Sequence, residues 1–207
     1  MSIFTFFMSC LVTQRCNYKL ISFILLGFMG PLLLNSCSVT PPKNKENLCE
    51  LFREKPDWFT ATHQTYRKWG VPPHVQMAIM FQESSFIADA QPPANWLGIR
   101  PSTAFGYAQA KDETWEHYLN HTKTASADRD DFADAADFIG WYCNLSYLKL
   151  GLSKWDTDPL YLAYHEGHGG YQRGTFKQKA WLMATAKKVA ARANNYRYQL
   201  SQCQHEF

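Results

Sequence analysis

The chain has 207 residues, 46% apolar and 19% charged, enough hydrophobic material for one core and too few residues for two large domains. With Gly 11 and Pro 10 the composition excludes collagen-like and low-complexity classes, and no repeat recurs at solenoid or propeller spacing. Net charge is +3, and no run of Lys or Arg builds a phosphate-tracking stripe, so nucleic acid is not an expected partner.

At the N-terminus, Arg15 and Lys19 precede an uncharged apolar run over residues 20–34, the layout of a signal peptide. A spanning helix needs roughly 20 apolar residues, and Gly27, Gly30 and Pro31 interrupt this run. The run closes in Leu34-Asn35-Ser36-Cys37, which resembles the lipobox of bacterial lipoproteins, with Asn35 an unusual occupant. The resemblance implies cleavage before Cys37 and acylation of its thiol, so that the protein is anchored to a membrane rather than spanning it. Three segments follow: a signal peptide at 1–36, lipidated Cys37 with a polar, proline-containing tether at 37–46, and a folded domain at 47–207. Ser38 after the cysteine points to the periplasmic face of the outer membrane, with the inner membrane as the alternative. Met8 offers a second possible start. Cys10 and Cys16 leave with the peptide, so Cys49, Cys143 and Cys203 remain in an oxidising compartment with at most one bridge. Cys143 falls on the apolar stripe of a predicted helix, which favours pairing of Cys49 with Cys203 near the two chain ends.

Pro56 before and Gly70 after predict a helix over 57–69, and Pro73 starts another over 73–84. The second is apolar on nearly every face, through Val75, Met77, Ala78, Ile79, Met80 and Phe81, so it should be buried. Over 86–110, Pro92, Pro93, Gly98, Pro101 and Gly106 break the pattern into an irregular lobe of a length that usually carries function. Helical periodicity returns over 130–150, with Gly151 as a stop. A short helix is predicted over 158–166. The last, over 176–200, places Leu182, Ala186, Val189, Ala193, Tyr196 and Leu200 on one stripe. The fold class is mainly α, one domain with an irregular lobe.

The strongest chemical signal is Gln82-Glu83-Ser84-Ser85-Phe86, a carboxylate at the end of a buried helix. Burial and the negative end of the helix dipole both raise its pKa, and a raised pKa makes a general acid. Two further stretches follow in order: Ala104-Phe105-Gly106-Tyr107-Ala108-Gln109 and Ala163-Tyr164-His165-Glu166-Gly167. Together the three resemble the motifs of the soluble lytic transglycosylase family, over about residues 73–176. The resemblance implies a lysozyme-like fold and cleavage of peptidoglycan glycan strands between N-acetylmuramic acid and N-acetylglucosamine, without a cofactor. It assigns Glu83 as the acid that protonates the glycosidic oxygen and then the base that takes the muramoyl 6-hydroxyl proton, giving a 1,6-anhydro product. It also assigns Ser84 to substrate contact, Gln109 to the cleft lining, and Tyr164 to orienting the Glu83 carboxyl.

The chain departs from the family pattern at two places. Gly106-Tyr107-Ala108-Gln109 stands where the motif is close to GLMQ, and His165 and Glu166 replace the asparagine and alanine of AYNAG. His165 can still hydrogen-bond a sugar, whereas Glu166 brings a charge. Two rival readings stay open: a hydrolase whose water is positioned by Glu166, and a lipoprotein that binds the wall without cleaving it. Trp96 and Tyr107, both in the irregular lobe, are expected to cover sugar faces. His165 and His168 stand three apart with glycines between and after, which does not fit the zincin spacing, so no metal is expected.

Overall fold

The computed structural model describes residues 40–207; the predicted signal peptide, Cys37 and the first residues of the tether lie outside them. Asn47 starts helix α1 (Leu48–Glu54), its side-chain oxygen accepting from the N–H groups of Cys49 and Glu50. Helix α2 (Pro56–Trp69) opens on a proline and stops at Gly70, which takes φ 73°. Helix α3 (Pro73–Ser84) buries every residue from Pro73 to Met80, as its all-round apolar sequence demands. Then come α4 (Asp112–Thr122), α5 (Phe132–Leu150), α6 (Thr157–Arg173) and, after a 3-10 turn at Thr175–Gln178, α7 (Ala180–Cys203). No strand forms among the described residues, and Phe105 and Ala110 make one isolated antiparallel bridge in the lobe.

Helix α5 is the axis of the core. Gly140 lets α2 lie against it so closely that a Cβ there would sit 2.4 Å from the Thr65 methyl. Asp137 on the same helix accepts from Lys68 and the Trp69 indole of α2 and from the Tyr118 hydroxyl of α4, each at 2.8 Å. This shared carboxylate fixes three helices in register. Helix α7 covers α3 and α6 with the stripe the periodicity predicts, all six residues buried.

Cys49 and Cys203 form the expected disulfide, tying α1 to the end of α7 across 154 residues of sequence. Closing so long a loop in the unfolded chain stabilises the fold by about 3–5 kcal/mol. Cys143 is buried and free, and burial pushes its thiol up to about 12, far from a nucleophile. Part of the expected tether is docked. Lys43 donates its backbone N–H to Glu54, Glu46 pairs with Arg192, and Tyr196 donates to the Lys45 carbonyl. The docked part therefore begins at about Lys43. Among the described residues no helix is long and apolar enough to cross a membrane.

Two helices escape the periodicity. Helix α1 is only seven residues long, and α4 buries only Trp115 and Tyr118. Helix α6 is longer than predicted: Gly167 breaks it with φ 74° and ψ 157°, but the helix resumes to Arg173. It can resume because Gly170 packs beneath Thr175 and Glu166, where a side chain would crowd both. His168, expected in a loop, is therefore helical, stacked on Tyr142 and hydrogen-bonded to the Ser146 hydroxyl at 3.0 Å.

Candidate active site

Glu83 occupies the last turn of α3, just before two consecutive non-glycine residues with positive φ, Ser85 (52°) and Phe86 (62°). The chain pays for this reversal by burying Phe86 completely against Trp58 and Phe81. Ser84 locks the turn, its hydroxyl donating to the Met80 carbonyl and accepting from the Phe86 N–H, each at 3.2 Å. The reversal leaves the Glu83 side chain on the floor of a cavity of about 340 Å³. Half-buried by surface area, the side chain lines this groove. Burial pushes its carboxyl up to about 7, although the Tyr161 hydroxyl of α6 favours the charged form. A carboxyl of that pKa is substantially protonated near neutrality, the state a general acid requires.

One wall comes from the lobe. Gly106 adopts φ 78°, and its N–H reaches the Ala90 carbonyl at 2.9 Å. Gln109, also at positive φ, sends its amide to the carbonyls of Ala90 and Gly106 at 2.8 and 2.9 Å, pinning the turn from inside. Arg129 braces it from outside, donating to the Thr103 and Ala110 carbonyls and to Asp112.

Helix α6 builds the opposite wall up to its break at Gly167, with Tyr164, His165 and Glu166 lining the cavity. Glu166 is clamped: one oxygen accepts from Lys179 at 2.7 Å and faces His165 Nδ1 at 3.1 Å, and the other accepts from Thr175. These donors, Lys179 first, hold its carboxyl down at about 2. Its side chain is nearly sealed, at 4% exposure. Of the carboxyls lining the cavity, Glu166 is a neutralised strut and Glu83 alone is poised to exchange a proton.

A half-buried glutamate at a helix end, a pinned Gly-x-x-Gln turn and a tyrosine-bearing helix converge on one groove in the order the three motifs predict. A family model described as Transglycosylase SLT domain matches residues 25–203. The chain belongs to this family. No curated protein matches it. The mainly α architecture described above is the lysozyme-like fold of the transglycosylase SLT domain.

Within that domain the structure brings Glu83, Gln109, Tyr164 and His165 to one cavity. Three other expected contacts fall elsewhere. Ser84 is buried with its hydroxyl spent on the backbone. Tyr107 is 1% exposed, its ring edge-on to Trp58 and Phe132, so it packs the core beneath the lobe instead of covering a sugar. Trp96 is 90% exposed on a turn held by the Asn95 side chain and does not line the cavity. Tyr164 reaches the cavity but donates its hydroxyl to the Ala108 carbonyl at 2.6 Å, joining the two walls. The hydroxyl that favours the charged form of Glu83 belongs to Tyr161, one helical turn earlier, which the motif does not single out. His165 and His168 diverge, the first toward Glu166 and the second toward Ser146.

Proposed function

We propose that the domain is a peptidoglycan lytic transglycosylase in which Glu83 acts alone, first as acid and then as base. The protonated carboxyl gives its hydrogen to the oxygen bridging muramoyl C1 and the next N-acetylglucosamine, and the C1–O bond breaks. The resulting carboxylate accepts the proton of the muramoyl 6-hydroxyl as that oxygen bonds to C1. The product is the 1,6-anhydro sugar, no water is consumed, and Glu83 returns to its acid form.

The observation that carries this reading is that, of the two carboxyls lining the groove, Glu166 is ion-paired and Glu83 is not, while burial raises the pKa of Glu83. Two-carboxylate glycosidases need a second free acid about 5–9.5 Å away. Glu166, the second acid in the cavity, is neutralised by Lys179 and occupied by Thr175, which makes it a poor base for activating water. Mass analysis of digested sacculi tests the proposal. Anhydro-muropeptides are expected; reducing-end products would instead identify a hydrolase, and no release would identify a wall-binding protein.

The same reading places the enzyme on the periplasmic face of the outer membrane through acyl chains on Cys37, with peptidoglycan as its polymeric partner. Cys37→Ala is expected to shift the protein from the membrane fraction to the soluble periplasm. Retention in the membrane fraction would count against the anchor.

A further inference from the structure

We infer that Trp181 and His165 form one wall of an amino-sugar subsite extending the groove beyond Glu83. This rests on the transglycosylase reading and adds to it a residue that no motif assigns. Trp181 lies in the first turn of α7 and is 59% exposed. Its ring meets the His165 imidazole edge-to-face, with centroids 5.3 Å apart and planes at 78°. His165 lines the cavity that holds Glu83, and the indole packs on that imidazole, one residue out from the lining.

The wall is built rather than incidental. Glu166 faces His165 Nδ1 at 3.1 Å and accepts from Lys179, two residues before Trp181, at 2.7 Å. One clamped carboxylate thus holds the imidazole directly and fixes the helix end that carries the indole. In the neutral ring, a proton on Nδ1 shared with Glu166 leaves Nε2 as the acceptor for a ligand hydroxyl or amide. An exposed indole beside it offers a flat apolar surface bounded by hydrogen-bonding groups. A pyranose has the matching pattern, with C–H groups across one face and hydroxyl or acetamido groups around its edge. The charge of Glu166, placed where the family pattern has a small residue, therefore serves to stiffen a sugar-binding wall.

The test is calorimetric titration of the Glu83→Gln protein, which cannot consume its ligand, with a soluble N-acetylglucosamine–N-acetylmuramic acid tetrasaccharide. Adding Trp181→Ala is expected to weaken binding about tenfold, and Trp181→Phe to restore most of it. Trp155, another exposed indole, beside His74 and Arg197, serves as the control, and Trp155→Ala should leave binding unchanged. Unchanged binding in Trp181→Ala, or an equal loss in Trp155→Ala, would overturn the subsite. If the wild type released no anhydro-product from sacculi, the transglycosylase reading would fall while this titration still decided the subsite. No binding with Trp181 intact would overturn it too.

Discussion

Replacement of Glu83 by Gln is expected to lower kcat on sacculi by at least about 10³-fold. General acid catalysis alone contributes about 10²–10⁴, and here the same oxygen must also take back a proton. The wild-type rate should be level below pH 7 and fall above it, because the carboxyl, held up at about 7 by burial, loses its hydrogen there. Tyr161→Phe removes the donor that favours the charged form, so its alkaline limb should move to higher pH. A rate that rises through pH 7 would contradict the assignment of Glu83 as the acid.

The same substitution that removes activity should raise stability at alkaline pH. In the unfolded chain Glu83 ionises near its ordinary pKa, whereas in the folded state it keeps its proton until about pH 7. The folded state thus binds more protons between these values, and wild-type stability declines as pH rises through that interval, levelling off above 7. Glu83→Gln removes this penalty and should be more stable than wild type at pH 8 by about 2–3 kcal/mol. Chemical denaturation of both proteins at pH 4 and pH 8 measures it, and a gap independent of pH would contradict it.

Gly106→Ala is expected to cost about 3 kcal/mol and to lower the melting temperature by about 10 °C. The backbone there has φ 78°, which an L side chain rarely adopts, and an added Cβ would lie 2.1 Å from the Arg129 carbonyl oxygen. Neither partner can yield cheaply. The Arg129 carbonyl accepts from the Tyr107 N–H, and the Arg129 guanidinium fastens the turn through Thr103, Ala110 and Asp112. Relief must come from moving the lobe, which carries Ala104, Gln109 and Ala110 out of line with Glu83. Activity below the melting range should fall more than tenfold with little change in helix content. A variant that melts and cleaves like wild type would show that this turn does not position the wall.

The helices that build the groove were legible in the sequence because each carries its own signal. Pro73 and the unbroken apolar run announce α3, and the stripe from Leu182 to Leu200 announces α7. Helix α4 gives only two buried aromatics among charged residues, too narrow a stripe to rise above a polar loop. Glu83 was legible because a carboxylate closing an apolar helix is unusual. The tyrosine that favours its charged form was not: Tyr161 and Tyr164 differ by one helical turn, and the spacing alone does not say which acts on the carboxyl and which hydroxyl goes to the Ala108 carbonyl. Tyr107 and Trp96 were misplaced for a related reason. An irregular segment has no period, so the sequence does not say which rings turn inward, and the structure buries one and exposes the other.

The docking of Lys43 to Glu46 against α1 and α7 sets a working radius. If Cys37 carries acyl chains as proposed, six residue steps separate it from the docked Lys43, a contour of at most about 20 Å. On that proposal, so short a leash would confine the domain to glycan strands lying next to the bilayer and raise its local concentration there. Lengthening the leash, with the groove unaltered, would let the same chemistry reach deeper layers of the wall.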